Sequence, residues 1–546
     1  MKETVLKIGR LTQSNTYYRG DKALYEVHAG DGAVLNDPWC INYFNDILKT
    51  SESAIFAENL ENVTVDFGGA TLRLYGMLQP VTFYRCNHVT LKNVNIEYNR
   101  GLFSEGAVLE VGENWARVHF SADFPCRVQD GRLIPYCDEW EDDHLFERQM
   151  FFQFFDNATG DGTGITLGIV GPKLPEGMNL CFHPVQYVVE TAGEDVIFRT
   201  VDGAKLNDAW RPGALLAIEH GGRFYPGVLL QSCRDVTLEN VRLVNTNSMG
   251  ILPLHCQNVT LRQVNMFRDE KSHGLLTNSA DGIHGITNGG SFLMEDCIIE
   301  DVMDDILNIH GQYQIITDIQ GNRLTVKITS HGVTQYSNLA DVGDEVAIHV
   351  ENTMEERSRH KVTAVKLLDQ FTAELTLDTA PVGVQTGDLL ENLFGNCDLT
   401  LRRCRFARCN THLRFQTRGK ILVEDCVTER PFWLTGDATF WYESSPCTDM
   451  TIRNTYFVGP AANIYACPEV RVTDKEKYYH KHLTVENCTF TTDRPMNLRY
   501  TDDIRFIANR NANGQRMTVH LYNSGAIDAP DALVERETEK QVLGNN

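Results

Sequence analysis

The sequence predicts an all-β protein, a right-handed parallel β-helix with two inserted β-barrel-like domains. Three observations lead there: a strand template that recurs along the chain, spacings between copies that match one coil, and two gaps far too long for a coil turn. The template opens Asn62-Val63-Thr64-Val65, His88-Val89-Thr90-Leu91, Asp235-Val236-Thr237-Leu238 and Asn258-Val259-Thr260-Leu261. It continues at Ser291–Cys297, Asp398–Cys404, Lys420–Cys426, Asp449–Thr455 and His482–Cys488. Apolar and polar residues alternate, as in a strand with one buried face, and an Asn, Asp or Arg marks the following turn. Val63 to Val89 spans 26 residues, Val236 to Val259 spans 23 and Leu399 to Ile421 spans 22, each the length of a three-strand coil.

The gaps fall between Val89 and Val236 and between Phe292 and Leu399. The first mixes strand-like runs such as Ala107–Val111 and Gln186–Glu190 with an acidic loop around Asp138 to Asp143, which reads as solvated surface. The second contains Arg323–Ile328, Glu345–Val350, Lys361–Val365 and Thr372–Leu377, short strands between Gly and Asp turns. The expected division is β-helix over 1–103, an inserted β-rich domain over 104–225, and central coils over 226–310. A β-barrel insertion over 311–393 and terminal coils with a polar tail over 394–546 complete it.

Of 15 cysteines, none forms a C-x-x-C pair, while Cys297, Cys404, Cys426 and Cys488 hold one template position. They read as small buried residues stacked inside the coils. Lys+Arg number 50 against 73 Asp+Glu, a net charge of -23, which argues against nucleic acid or an anionic membrane surface as partner. Met1 to Gly30 is polar and mixed, so the chain as written is expected to be cytoplasmic, or secreted or periplasmic if a leader has been removed.

The chemistry concentrates between Asn278 and Gly311. Asp281 precedes the adjacent pair Asp304 and Asp305 by 23 residues, one coil, so three carboxylates should converge on one face. Successive coils stack about 4.7–4.9 Å apart. Clustered carboxylates cannot all ionise, so one holds a proton as general acid while its neighbours act as bases, the equipment of a glycosidase. A one-coil rise with a lateral offset suggests a separation nearer the inverting range of about 6.5–9.5 Å than the retaining one of about 5–5.5 Å. Adjacent Asp304 and Asp305 point to opposite sides of a regular strand, so both reach one site only across a turn or bulge. His284, Asn308 and His310 lie close by in sequence. Arg414, Arg418, Trp441 and Glu443 on later coils are placed to line the same groove with donors, acceptors and an aromatic face.

These residues leave open a hydrolase of another glycan, polygalacturonase-like, and a non-catalytic glycan-binding β-helix. The segments Ala280–His284, Met303–Gly311, Asp437–Ser444 and the G-M-L-Q-P run at Gly76 resemble glycoside hydrolase family 110, and the similarity covers most of the chain. The resemblance implies an inverting exo-acting α-1,3-galactosidase without a metal or other cofactor. It implies Asp304 as general acid, with Asp281 and Asp305 positioning and deprotonating water. The expected partner is a glycan with terminal α-galactose, and a homodimer is expected only from the surface that inserted barrels offer.

Overall fold

The structure, a computed structural model, describes residues 1–35, 51–141, 150–157, 162–171, 184–219, 225–268, 274–328, 340–351, 353–369, 371–409, 411–470 and 478–537. The Asp142-Asp143 end of the acidic loop and the last residues of the tail lie outside them. The coils are built from parallel ladders, and the template copies pair with one another in register. Val63 pairs with Val89, Val89 with Val236, and Val236 with Val259; Val259 then meets Phe292, Phe292 meets Leu399, and Leu399 meets Ile421. Both long gaps are therefore skipped without a slip. A one-residue slip would turn the buried set outward, so the alternation itself pins the register.

The later coils contribute two strands to one parallel sheet and one to another, as in Asn396–Arg402, Arg405–Ala407 and Leu413–Gln416, while in earlier coils the first two run on as one long strand such as Arg234–Asn245. The polar residues bracketing the template occupy the left-handed backbone region, with φ of 53° at Asn62, 52° at Asp235 and 59° at Asn258, and 56° at Asn93 and 51° at Asn240. Short polar side chains tolerate that region best because they bond locally. Here they also bond between coils: Asn240 Nδ2 donates to Asn93 Oδ1 at 2.9 Å and Asn258 Nδ2 to Asp235 Oδ1 at 2.8 Å.

The inward residues of all coils form one apolar column that takes in Val236, Leu261, Phe292, Leu399, Phe415, Phe432 and Cys297, Cys404, Cys426 and Cys488. The described cysteines are free thiols. Phe415 is fully buried and meets Phe432 edge-on at 5.3 Å. Truncating Phe415 to Ala is expected to cost about 3–5 kcal/mol, read as a lower urea midpoint with unchanged slope.

Between the coil strands Asn87–Tyr98 and Val228–Gln231, seven strands from Phe103–Val111 to Leu215–Glu219 close into a barrel. Phe152, Phe154, Tyr187, Phe198 and Trp210 fill it. The second barrel grows directly out of a coil. Strand Leu307–Gln320 starts in the parallel ladder and then pairs antiparallel with Arg323–Lys327 and Leu389–Asn392. Thr372–Leu377, Glu356–Leu367 and Glu345–His349 complete the closure.

Where the barrels rest decides the shape of the site. Barrel residues Ile316, Leu324, Val346 and Leu390 share one apolar cluster with Leu229, Leu252, Leu254 and Ile286 of the coils. The second barrel thus covers the outer face of the coils that precede the carboxylates. The first barrel brings Phe103, Phe124 and Phe155 against Leu275, Leu276 and Met303, beside Asp304. Its Glu105 clasps the backbone amides of Leu275 and Leu276, at 2.7 and 3.2 Å, and burial pushes that carboxyl up to about 8.

Candidate active site

On two consecutive coils the chain bends in the same way just before a strand, at 279–282 and again at 303–306. Strand Ile283–Ile286 pairs with the start of Leu307–Gln320, His284 opposite Asn308 and Ile286 opposite His310. Gly282 N donates to Asp305 O at 2.8 Å and Asp304 N to Ala280 O at 3.3 Å. Asp281 therefore lies one rung from Asp305, and Ala280 one rung from Asp304. The bend lets the neighbours Asp304 and Asp305 serve one site. Asp281 and Asp305 are 2% and 5% exposed, while Asp304 is half-buried and the most accessible of the three.

The next coil brings Arg414 opposite Asn308 and Gln416 opposite His310. Strands alternate, so His412, Arg414 and Gln416 all face outward with them. Glu443 arrives differently. A strap over Asp437–Ser445 leaves the following coil and doubles back, pairing antiparallel so that Glu443 sits opposite Gln312 and Ser444 opposite Gly311. Asp437 fixes its start by accepting from the backbone amides of Thr439, Phe440 and Trp441 at 2.6, 2.9 and 2.6 Å.

The electrostatics follow from burial. Asp305 holds its proton well above the ordinary carboxylate range because it is buried and faces Asp304 and Asp281, which outweigh Arg414 at 3.9 Å. Burial would raise Glu443 as well, but Arg414 at 3.5 Å, the two histidines and Gln416 at 2.8 Å hold it down to about 2. Arg414 is buried against its charge yet kept firmly cationic by Glu443. Burial lowers His310 to about 4 and His412, 3.5 Å from Asp305, to about 3. The cluster thus holds a proton on Asp305 beside an ionised Glu443.

A second proton can be placed by geometry. His310 Nδ1 lies 2.6 Å from Gly311 O, which only accepts, so neutral His310 carries its hydrogen there and its Nε2 accepts. His284 Nε2 lies 2.9 Å from that nitrogen and must donate. Its Nδ1 lies 2.5 Å from Asp281 Oδ2, which ties the imidazole to that carboxylate. His284, His310 and Glu443 bring potential cation ligands within 4.8 Å of one another, the one such group among the described residues. Two ring nitrogens on one tetrahedral zinc ion would lie roughly 3.3 Å apart. The 2.9 Å observed is the spacing of a hydrogen bond.

Of the ten residues singled out from sequence, the structure gathers Asp281, Asp304, Asp305, His284, Asn308, His310, Arg414 and Glu443. Arg418 is a correction. The strand ends at Gln416, the chain turns, and Arg418 instead binds the fully buried Glu391 at the second barrel, at 3.1 and 2.9 Å. Trp441 is half-buried on the strap with its ring edge-on to Phe440 at 4.6 Å. The aromatic ring in the cluster's own column is Trp433, opposite Arg414 and stacked on His412 at 4.1 Å. Sequence reading missed Gln416, His412 and Trp433. The signal for the first two was available, since both are two residues from Arg414 on one strand face.

No family profile matches this chain. Among curated proteins it is similar to Alpha-1,3-galactosidase B of Bacteroides thetaiotaomicron, 27% identical over 458 residues, 80% of this chain and 71% of the relative. Alpha-1,3-galactosidase A of Bacteroides fragilis is 23% identical over 471 residues, 81% and 72% of the two chains. An Alpha-1,3-galactosidase B of Phocaeicola vulgatus is 23% identical over 507 residues, 86% and 79%. A solved structure, the family 28 exopolygalacturonase of Yersinia enterocolitica, matches at 10% identity over 87% of this chain and 71% of its own, with a TM-score of 0.25, too low to bear on the argument.

Proposed function

We propose that this chain, a relative of the α-1,3-galactosidases, is a glycoside hydrolase that removes a terminal α-1,3-linked galactose with inversion at the anomeric carbon. The observation that carries the reading is the meeting of Asp281, Asp304 and Asp305 at one bend repeated on two coils, with one proton retained among them. Similarity to three curated galactosidases over most of the chain supports the substrate.

In this reading the proton that Asp305 holds in the resting site passes to Asp304, the accessible carboxyl, as substrate binds; Asp304 then gives it to the glycosidic oxygen as the C1–O bond breaks, and Asp305 is left ionised. Asp281 and Asp305 hold a water on the opposite side of the ring and take its proton as its oxygen bonds to C1. Asn308, Gln416, Arg414 and Glu443 supply the donors and acceptors that fix hydroxyls, and the strap brings Glu443 into that set. Extra binding strength for the charged transition state comes from Glu443, held ionised beside a ring that becomes cationic.

Proton NMR of the anomeric region during digestion of galactose-α-1,3-galactose tests the reading. Early appearance of β-galactose, with no other monosaccharide preceding it, is expected. Early α-galactose would mean retention, and no release of galactose would move the function to another glycan or to binding.

A further inference from the structure

The outer face of the sheet that carries the site continues past it. His284, Asn308, Arg414, Trp433, Tyr465 and Asn497 pair rung by rung in one column. Upstream of His284 the same face carries Leu229 and Leu252, which are buried under the second barrel. Nothing polar can follow that direction. Downstream, Trp433, Tyr465 and Asn497 are only half-buried, and their inward neighbours Phe432, Leu434, Ile464 and Leu498 belong to the coil core. The column is therefore closed at one end and accessible at the other.

We propose that the acceptor part of the glycan, the sugars left after galactose is removed, runs from the carboxylates toward the C-terminal coils over Trp433, Tyr465 and Asn497. This rests on the reading given under Proposed function and adds direction and residues to it. The rung spacing of about 4.8 Å puts Trp433 one rung past Arg414 and Tyr465 two, roughly the length of one to two sugar units. Trp433 is set by His412, stacked at 4.1 Å and 17°, and by Tyr465, edge-on at 6.4 Å and 79°. His412 in turn lies 3.5 Å from Asp305, which sets the near end of this aromatic platform beside the carboxylates. The surrounding polar groups balance. Asn497, Glu469 and Arg494 offer acceptor and donor together, and burial with Asp437 nearby keeps Glu469 toward its neutral form. A neutral saccharide fits that mixture better than an anionic one.

The test compares a trisaccharide ending in α-1,3-galactose with α-galactosyl fluoride, which has no acceptor sugar, for Trp433→Ala, Tyr465→Ala and the parent. Expected is a fall in kcat/KM of about tenfold or more on the trisaccharide and little change on the fluoride. Equal losses on both substrates, or no loss on either, would overturn the assignment. Tyr465→Ala, two rungs from the carboxylates, decides the matter if Trp433→Ala does not fold. A parent that cleaves neither substrate would instead sink the galactosidase reading itself, so the two failures are told apart.

Discussion

Asp304→Asn is expected to lower hydrolysis of galactose-α-1,3-galactose by about 10²–10⁴-fold while sparing α-galactosyl fluoride. The reasoning is about leaving groups. A sugar alkoxide is a poor one and needs a proton as the bond breaks, whereas fluoride departs without help. Removing the acid therefore costs only where the acid is needed. Asp281→Asn and Asp305→Asn remove groups on the water side and should impair both substrates alike. The distinction matters because the resting proton is held on the more buried Asp305, next in sequence to the acid that must deliver it. Accessibility places Asp304, not Asp305, where a glycosidic oxygen can reach it. If Asp305→Asn spared the fluoride and Asp304→Asn did not, the two roles would have to be exchanged. Steady-state rates on the two substrates, with the three variants side by side, give the answer directly.

The β-helix was legible because two signals repeat independently in the template. Period-two alternation gives the strand, and the polar bracket residues give the left-handed corners that non-glycine residues other than Asn and Asp enter reluctantly. The pairing of Val89 with Val236, 147 residues apart, shows why the interruption did not hide the pattern: the register lives in the template, not in the intervening chain. The site was less legible at its edges. Counting 23 residues back from Asp304 sets Asp281 level with that residue, but the amide of Gly282 bonds to Asp305, so the rung joins Asp281 to Asp305. A one-residue difference of this kind depends on the bend, which alternation does not encode. Arg418 misled for a related reason. It continues the period-two spacing of Arg414 and Gln416, yet the strand has already ended and a buried carboxylate 27 residues earlier captures the side chain. Glu443 depends on a strap that reverses direction, a tertiary arrangement with no periodic trace in the sequence.

Glu391→Ala is expected to cost about 3 kcal/mol of stability, because it strands the half-buried cation Arg418 and the other donors that a fully buried carboxylate had satisfied. Glu391 is fully buried and receives Arg418 through two hydrogen bonds, His349 Nε2 at 2.9 Å, Asn396 Nδ2 at 3.4 Å and the Ser445 hydroxyl. Burial would raise its pKa, but Arg418 and His349 outweigh that and hold it well below the usual range. A depressed carboxylate contributes stability that is present above the unfolded value of about 4.3 and is lost as pH falls from there toward the folded value. The gap between parent and Glu391→Gln in urea midpoint should therefore be full at pH 7 and close progressively below about pH 4. A gap independent of pH would show that packing, not charge, is what Glu391 supplies. The double variant Glu391→Leu with Arg418→Met should recover much of the loss, since no charge is then left unpaired. Function follows stability by a short path. Ser445 sits two residues from Glu443 on the strap, so releasing its hydroxyl from Glu391 should loosen Glu443 and raise KM for α-1,3-galactosides in the double variant even where its stability is restored. A double variant with restored stability and unchanged KM would separate the two and leave Glu391 as a purely structural anchor of the second barrel.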